Sequence, residues 1–142
     1  MTFQDLPGNV RAVPLVEPTV QADVVDLILG ESDRRGGSMA MMLCDSECRP
    51  FQPIVVCGVP EAEAGDCLTR LIGLVSHVVT GETGSVLVAR GRPGPSVPTD
   101  DDRALHQLAI DQCEQHGIRL LGTFVATPAG VTALPEPLTA AS

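Results

Sequence analysis

The sequence predicts a single α/β domain in which a mixed β-sheet is flanked by helices. Three stretches with helical periodicity alternate with five short apolar stretches of strand length along the 142 residues. Only some of these strands are joined through a helix, so we expect parallel and antiparallel neighbours in one sheet. A chain of this length is typical of one domain and buries roughly two-thirds of the surface that it exposes when unfolded.

The chain begins with a segment that lacks any sustained period. Residues 1–18 contain three prolines, and we predict a flexible N-terminal arm there. From Thr19 onward the apolar spacing is helical, and Thr19 is predicted to be the N-cap. The helix is predicted to end at Gly30 or in the Arg-Arg-Gly-Gly stretch at residues 34–37. The predicted buried face consists of Val20, Val24, Leu27 and Ile28.

A β-hairpin is predicted next. The continuous apolar run from Met39 to Cys44 is typical of a strand that is buried on both faces. Residues 45–48 form a turn, and a second strand covers residues 51–59. Two prolines, Pro50 and Pro53, require positions in this second strand where no backbone donor is needed.

A second helix and a third strand follow the hairpin. Pro60 and Glu61 favour a helix start, and Gly81 is predicted to end that helix. Residues 85–89 have the composition of a strand. The stretch at residues 90–98 holds three prolines and two glycines, and it therefore predicts a loop.

The C-terminal part predicts one helix and two strands. Thr99 and Asp102 form a capping-box pattern at the helix start, and Gly117 is expected to stop the helix. Strands are predicted at residues 120–127 and 131–134. The domain thus covers residues 19–134. A disordered tail is predicted for residues 135–142.

The charge balance excludes several classes of function. The net charge is −9, and all nine basic residues are Arg. Such a chain repels nucleic-acid phosphate on average, and it has almost no aromatic side chains on which bases could stack. Schiff-base and P-loop chemistry both require the lysine amine that this chain lacks. We therefore expect no nucleic-acid partner.

Cysteine usage and hydropathy predict the compartment and the kind of partner. Five cysteines without a secretory signal indicate free thiols in the cytoplasm. No apolar run approaches the roughly 20 residues that a membrane span requires. A mean hydropathy of +0.20 is high for so charged a chain, so we expect an unidentified protein partner or a second copy of the chain, in a homodimer, to cover part of the surface.

One segment carries a family resemblance. Residues 88–102 read VARGRPGPSVPTDDD, and this segment resembles the metal-binding segment of JAB/MPN (JAMM) metalloprotease-like domains, most closely the RadC-like branch. The family has two His in a His-x-His-Pro motif, then a Gly/Pro-rich loop and an Asp in the first turn of a helix. Arg90 and Arg92 stand at the two His positions. Asp102 stands at the Asp position, with one residue fewer in the loop.

Further positions match the same family pattern. Thr99 stands where the family has Ser before its helix. Asp45 and Arg49 are similar to the Asp and Arg of the RadC-like first hairpin. The stretch HGIRLLG at residues 116–122 is similar to the family's helix-ending Gly and following strand. The resemblance covers about residues 38–134, and it implies a JAB/MPN-like, cytidine-deaminase-like three-layer architecture.

The departures from the family pattern predict a loss of catalysis. In the family, two His and an Asp hold zinc, and a Glu of the second strand acts on the zinc-bound water. The guanidinium groups of Arg90 and Arg92 are permanently protonated and cannot bind a cation. The second strand has no carboxylate, and its nearest candidate, Gln52, is a poor general base. We therefore predict no catalytic residue, no metal and no cofactor, and a pseudoenzyme that acts as an interaction or scaffold module.

Several alternatives remain open for the degenerate site. Arg92, with or without Arg90, pairs with Asp102, or both arginines are solvated on a flexible loop. Alternatively, Arg90, Arg92 and the helix start at Thr99 form the receptor of a small-anion sensor. A third alternative is a hydrolase in which Asp102 and ligands outside the family pattern, such as His106 one helical turn away, hold a metal.

Overall fold

The computed structural model describes residues 13–79 and 84–135, which build a five-stranded mixed sheet with helices on both faces. The predicted class and the predicted order of the main helices and strands are confirmed. The structure also contains two short helices that the sequence did not predict. The elements are α1 (Pro18–Ile28), α2 (Glu31–Gly36), β1 (Ser38–Asp45), β2 (Pro50–Cys57), a 3-10 helix (Glu61–Glu63), α3 (Ala64–Val75), β3 (Gly84–Gly91), α4 (Asp100–Gln115), β4 (Arg119–Thr127) and β5 (Gly130–Ala133).

The sheet combines hairpins with one crossover. Its strand order is β2-β1-β3-β4-β5. β1 is antiparallel to both β2 and β3, and β4 is antiparallel to β5. β3 and β4 are parallel, and α4 lies in the crossover connection that parallel neighbours require. The carboxyl end of β3 therefore faces the start of α4.

β1 lies second from one edge, between β2 and β3, and its burial confirms the prediction of a strand buried on both faces. Met39 and Met41 point to the face that α3 and α4 cover. Ala40 and Met42 point to the opposite face, which α1 covers. This alternation follows from the two-residue period of a strand. All four side chains are fully buried, so the methionines fill the core.

The hairpin turn is organised by Asp45. Its carboxylate accepts hydrogen bonds from the backbone N–H groups of Glu47 and Arg49, both at 2.9 Å. The prediction for the prolines is confirmed, because Pro50 and Pro53 lie in β2, an edge strand of the sheet.

The start of the first helix differs from the prediction. The helix begins at Pro18, and its N-cap is Glu17 rather than Thr19. Proline has a fixed φ and lacks an N–H, and both properties suit the first helical position, so Thr19 lies inside the helix. Of the predicted arm at residues 1–18, residues 1–12 lie outside the described residues. Leu15 is fully buried, and its N–H donates to the Cys48 carbonyl at 2.8 Å.

The region from residue 29 to residue 37 also differs from the prediction. α1 ends at Ile28, and a separate six-residue helix, α2, follows. The Asp33 carboxylate accepts a hydrogen bond from the Gly30 N–H at 3.2 Å, which gives α2 its own N-terminal cap. α2 ends before Gly37, whose φ of +80° suits glycine. A Cβ at residue 37 would lie 2.7 Å from the Val59 carbonyl oxygen.

The strand that leads to the candidate site is longer than predicted, because β3 begins at Gly84 rather than at residue 85 and ends beyond residue 89. β3 continues to Gly91, so Arg90 belongs to a strand rather than to the loop. Arg90 can lie near the end of this buried strand because its side chain has buried hydrogen-bond partners. The capping box of α4 at Thr99 and Asp102 is confirmed.

α4 stops at the predicted glycine, whereas α3 ends before its predicted terminator. α4 stops at Gly117, which has a φ of +67°, and the Ile118 N–H donates to the Cys113 carbonyl at 2.8 Å, as in a Schellman motif. α3 begins at Ala64 rather than at the predicted residues 60–61, where a 3-10 helix lies instead. It ends at Val75, whereas its predicted terminator, Gly81, lies outside the described residues. The predicted tail is described only at residue 135.

Candidate functional site

The residues singled out by the family pattern lie at the carboxyl end of β3 and in the first turn of α4. Arg90 is in the strand, Arg92 follows the strand directly, and Asp102 is the third residue of the helix. All three are buried, with exposed fractions of 3%, 6% and 1%. Because a buried charge requires a partner, the contacts of these side chains show what holds this part of the fold together.

Arg92 and Asp102 form a buried ion pair. The Arg92 Nη2 donates to Asp102 Oδ2 at 2.7 Å, and Nε donates to Oδ1 at 3.0 Å. Two nitrogens of one guanidinium thus face two oxygens of one carboxylate, which is the bidentate geometry for which arginine is suited. The prediction that Arg92 pairs with Asp102 is confirmed.

The rest of the Arg92 guanidinium holds the loop between β3 and α4. Nη1 donates to the carbonyls of Pro93 and Pro95 at 3.0 and 2.9 Å, and Nη2 donates to the Val97 carbonyl at 3.2 Å. Together with the bonds to Asp102, these contacts use all five N–H groups of the side chain. Arg92 therefore ties three carbonyls of a proline-rich loop to the helix that follows it.

Asp102 is saturated from a second side. The Thr99 N–H donates to Asp102 Oδ2 at 2.8 Å, and the Asp102 N–H donates to Thr99 Oγ1 at 3.1 Å. Burial alone raises the pKa of Asp102. The hydrogen bonds from Arg92 and from Thr99 and the charge of Arg92 outweigh burial and hold that pKa below its ordinary value.

This lowered pKa predicts a pH dependence of stability. Asp102 stabilises the fold as a carboxylate, so its contribution is complete above the unfolded-state pKa of about 3.9 and is lost as the pH falls toward the lower pKa of the folded state. We expect the difference in unfolding free energy between the wild type and Asp102→Asn to shrink below about pH 4, by at most about 1.4 kcal/mol per pH unit. Urea titrations between pH 7 and pH 3 measure this difference.

The matched control is Asp101→Asn, which removes an exposed carboxylate from the same helical turn. It should show little effect at any of these pH values. A wild-type to Asp102→Asn difference that stays constant down to pH 3 would contradict the assigned role of the carboxylate.

Arg90 does not join this pair, so the variant of the prediction in which both arginines contact Asp102 is wrong. Its Nη1 donates to the Ser38 and Val59 carbonyls at 3.1 and 2.9 Å, and Nη2 donates to Glu61 Oε2 at 3.1 Å. These partners lie at the start of β1 and before and within the 3-10 helix. Arg90 therefore joins three chain segments at one end of the sheet. Its buried Nε has no hydrogen-bond partner among the described residues.

The alternative of two solvated arginines is also wrong, because both side chains are buried and paired. The anion-receptor alternative finds little support in the geometry. A cavity of about 300 Å³ adjoins both guanidiniums, but Arg92 has no N–H left for a ligand. The Thr99 N–H is likewise engaged by Asp102. Each arginine already faces a carboxylate.

The donor set does not fit a zinc ion. Arg90 and Arg92 have no lone pair to offer, and the Asp102 carboxylate accepts from Arg92 and Thr99. Across residues 13–79 and 84–135, no group of three or more His, Cys, Asp or Glu side chains is arranged to hold a metal. His106, offered above as a further ligand, is buried in α4.

The other groups considered for chemistry lie apart from this pair. Gln52 is exposed on the edge strand, and its amide donates to the Pro53 carbonyl at 2.8 Å. All five cysteines are free thiols. Burial raises the pKa of Cys44 to about 12 and that of Cys113 to about 11, so both stay protonated and unreactive near neutral pH.

A third buried arginine was missed by sequence reasoning. The Arg34 guanidinium donates to the Leu29 carbonyl at 2.8 Å, to the Thr127 carbonyl at 3.2 Å, and to the Asp26 carboxylate at 2.7 Å. It thus fastens α2 to the end of α1 and to the end of β4. Its neighbour Arg35 is exposed, and nothing in the local sequence distinguishes the two.

Comparison with known proteins adds no family assignment. No protein-family model matches the chain, and no curated protein matches it. In the described part of the chain, no helix has the length and apolar character needed to cross a membrane.

Proposed function

We propose that this chain is a RadC/JAB-like domain without a metal centre, and that it acts as a protein-interaction or scaffold module rather than as an enzyme. The observation that carries the proposal is the saturation of Asp102. The one carboxylate that matches the family's ligand set is neutralised by Arg92 and capped by Thr99. A guanidinium thus supplies the positive charge that a zinc ion would supply in the family.

The order of elements supports the family part of this proposal. Along the chain, a hairpin is followed by a helix, a third strand, a Gly/Pro-rich loop and the helix whose first turn holds Asp102. This is the order that the resemblance implies. The loop runs from β3 to α4, and Arg92 holds it through three loop carbonyls and through Asp102. A reducing compartment, the cytoplasm, suits the five free thiols.

Zinc analysis of the purified protein tests the absence of a metal centre. We expect a wild-type protein that is equilibrated with zinc and then dialysed to retain no stoichiometric zinc at this site. Because cysteine thiols bind zinc adventitiously, the informative quantity is the difference between the wild type and Asp102→Asn. We expect both proteins to retain the same amount.

Asp101→Asn again provides the matched control for a change in charge. Stoichiometric zinc that is retained by the wild type and by Asp101→Asn but lost from Asp102→Asn would overturn the proposal. That result would favour the alternative of a metal-dependent hydrolase with ligands outside the family pattern.

A further inference from the structure

β2 leaves one edge of the sheet open along eight residues. Within the described residues, no strand pairs with its outer side. The opposite edge, β5, has only four residues. Short edges, charged edge residues and prolines are the usual protection against pairing with another chain. β2 has the sequence PFQPIVVC, which contains no charged residue, and Phe51 and Val55 are exposed apolar side chains on it.

The outer side of β2 offers backbone groups for pairing. Pro53 has no N–H, and its carbonyl accepts from the exposed Gln52 amide, so its backbone faces away from β1. Backbone direction alternates along an antiparallel strand, and Val55 and Cys57 therefore present N–H and carbonyl groups outward as well. The second half of β2 is free of proline and can donate to an added strand.

A cleft adjoins this free edge on the side of α3. It has a volume of about 370 Å³ and is formed between the end of β2 and α3. Val56, Leu71 and Leu74 give it apolar walls. In strand addition, main-chain hydrogen bonds run along the edge, and every second side chain of the added strand points to one face. The cleft is placed to receive such a side chain.

The charges around the cleft select the chemistry of the occupant. Glu63 and Asp66 are exposed on its rim, and Arg70 offsets only one of them. The whole chain has a net charge of −9. A second copy would bring an identical acidic rim and the same net charge, which repel. A basic segment complements both.

We propose that the β2 edge and the β2–α3 cleft together bind an extended segment of a partner protein that carries an apolar side chain flanked by Lys or Arg. The segment adds a sixth strand beside β2 and inserts its apolar side chain against Leu74. This inference rests on the proposed function as an interaction module, for which it names the surface and the kind of partner.

Titration of the isotope-labelled full chain with a synthetic peptide tests this surface. The probe is an end-capped eight-residue peptide that alternates valine with lysine, and amide chemical shifts report the binding. We expect saturable shifts at Val55 and Cys57. A peptide in which glutamate replaces lysine should bind at least about tenfold more weakly, because it meets the acidic rim.

Two pairs of variants and one single variant locate the binding. Leu74→Asn removes the apolar wall, and its control is Val78→Asn, one turn further along and outside the cleft, because the two side chains are similarly exposed at 67% and 65%.

The double variant Glu63→Gln with Asp66→Asn removes the two negative charges of the rim. Its control is the double variant Asp111→Asn with Glu114→Gln, which changes the net charge equally on α4. Val55→Pro removes an outward N–H, and Pro53, which faces the same way, shows that the strand tolerates such a residue. We expect Leu74→Asn, the Glu63→Gln/Asp66→Asn double variant and Val55→Pro each to weaken binding about tenfold. Val78→Asn and the double variant on α4 should bind as the wild type.

The outcomes separate this proposal from the absence of a metal centre. Absence of binding, or binding that is equally strong in the Leu74→Asn and Val78→Asn proteins, overturns the docking surface and leaves the zinc result untouched. Light scattering that shows a dimer lost in Val55→Pro would also overturn it, because the occupant would then be a second copy. Thermal melting of every variant excludes unfolding as the cause of lost binding.

Discussion

Arg92→Ala is expected to lower the free energy of unfolding by about 3–5 kcal/mol, the range for removing one partner of a buried ion pair. The substitution leaves Asp102 charged and 1% exposed, with only the Thr99 N–H as a remaining partner among these contacts. It also removes the donors to the carbonyls of Pro93, Pro95 and Val97. Urea unfolding at pH 7, followed by circular dichroism, measures the loss.

Two variants make this prediction specific to the buried pair. Arg103→Ala removes an arginine that pairs with Asp100 on the exposed side of the same helix, and it should change stability little. The double variant Arg92→Ala with Asp102→Ala should recover part of the loss, because it no longer leaves a buried charge without its partner. A loss in Arg92→Ala no larger than that in Arg103→Ala would contradict the structural role of the pair.

Local patterns in the sequence predicted most of the fold. The apolar run from Met39 to Cys44 predicted a strand buried on both faces, because such a strand has apolar side chains at successive positions rather than at alternate ones. The Thr99 and Asp102 capping box predicted the start of α4 from a three-residue spacing. The helix start predicted at Thr19 was misplaced because Pro18 satisfies the same end requirement without a side-chain cap.

In the candidate site, the sequence predicted only the contact between residues that lie close together along the chain. Arg92 and Asp102 are ten residues apart, and the family resemblance aligned them. The partners of Arg90 lie 52 and 31 residues away, at the Ser38 and Val59 carbonyls. Backbone carbonyls exist at every residue, so no side-chain pattern marks which of them a buried arginine reaches. Such contacts follow from the strand order, which the sequence did not determine.

Arg34 extends this reasoning to a hydrogen bond that spans 93 residues, and Arg34→Ala is expected to lower the free energy of unfolding by about 3 kcal/mol. Hydrogen bonds from a charged donor contribute about 1.5–3 kcal/mol each, and the variant loses those to the buried Leu29 and Thr127 carbonyls. Thr127 lies 93 residues further along the chain, so the variant also releases α2 from the end of β4.

The neighbouring Arg35 provides the matched control for Arg34. Arg35→Ala removes an exposed pair with Glu31 one turn away and keeps the same net charge as Arg34→Ala, so it should have a far smaller effect on urea unfolding. Arg34→Lys keeps the charge but loses the planar fork, and it should recover only a minor part of the stability because one ammonium cannot reach three separated acceptors in that geometry. Equal stability of the Arg34→Ala and Arg35→Ala proteins would contradict the argument, since it would mean that the long-range bond to β4 contributes nothing to the fold.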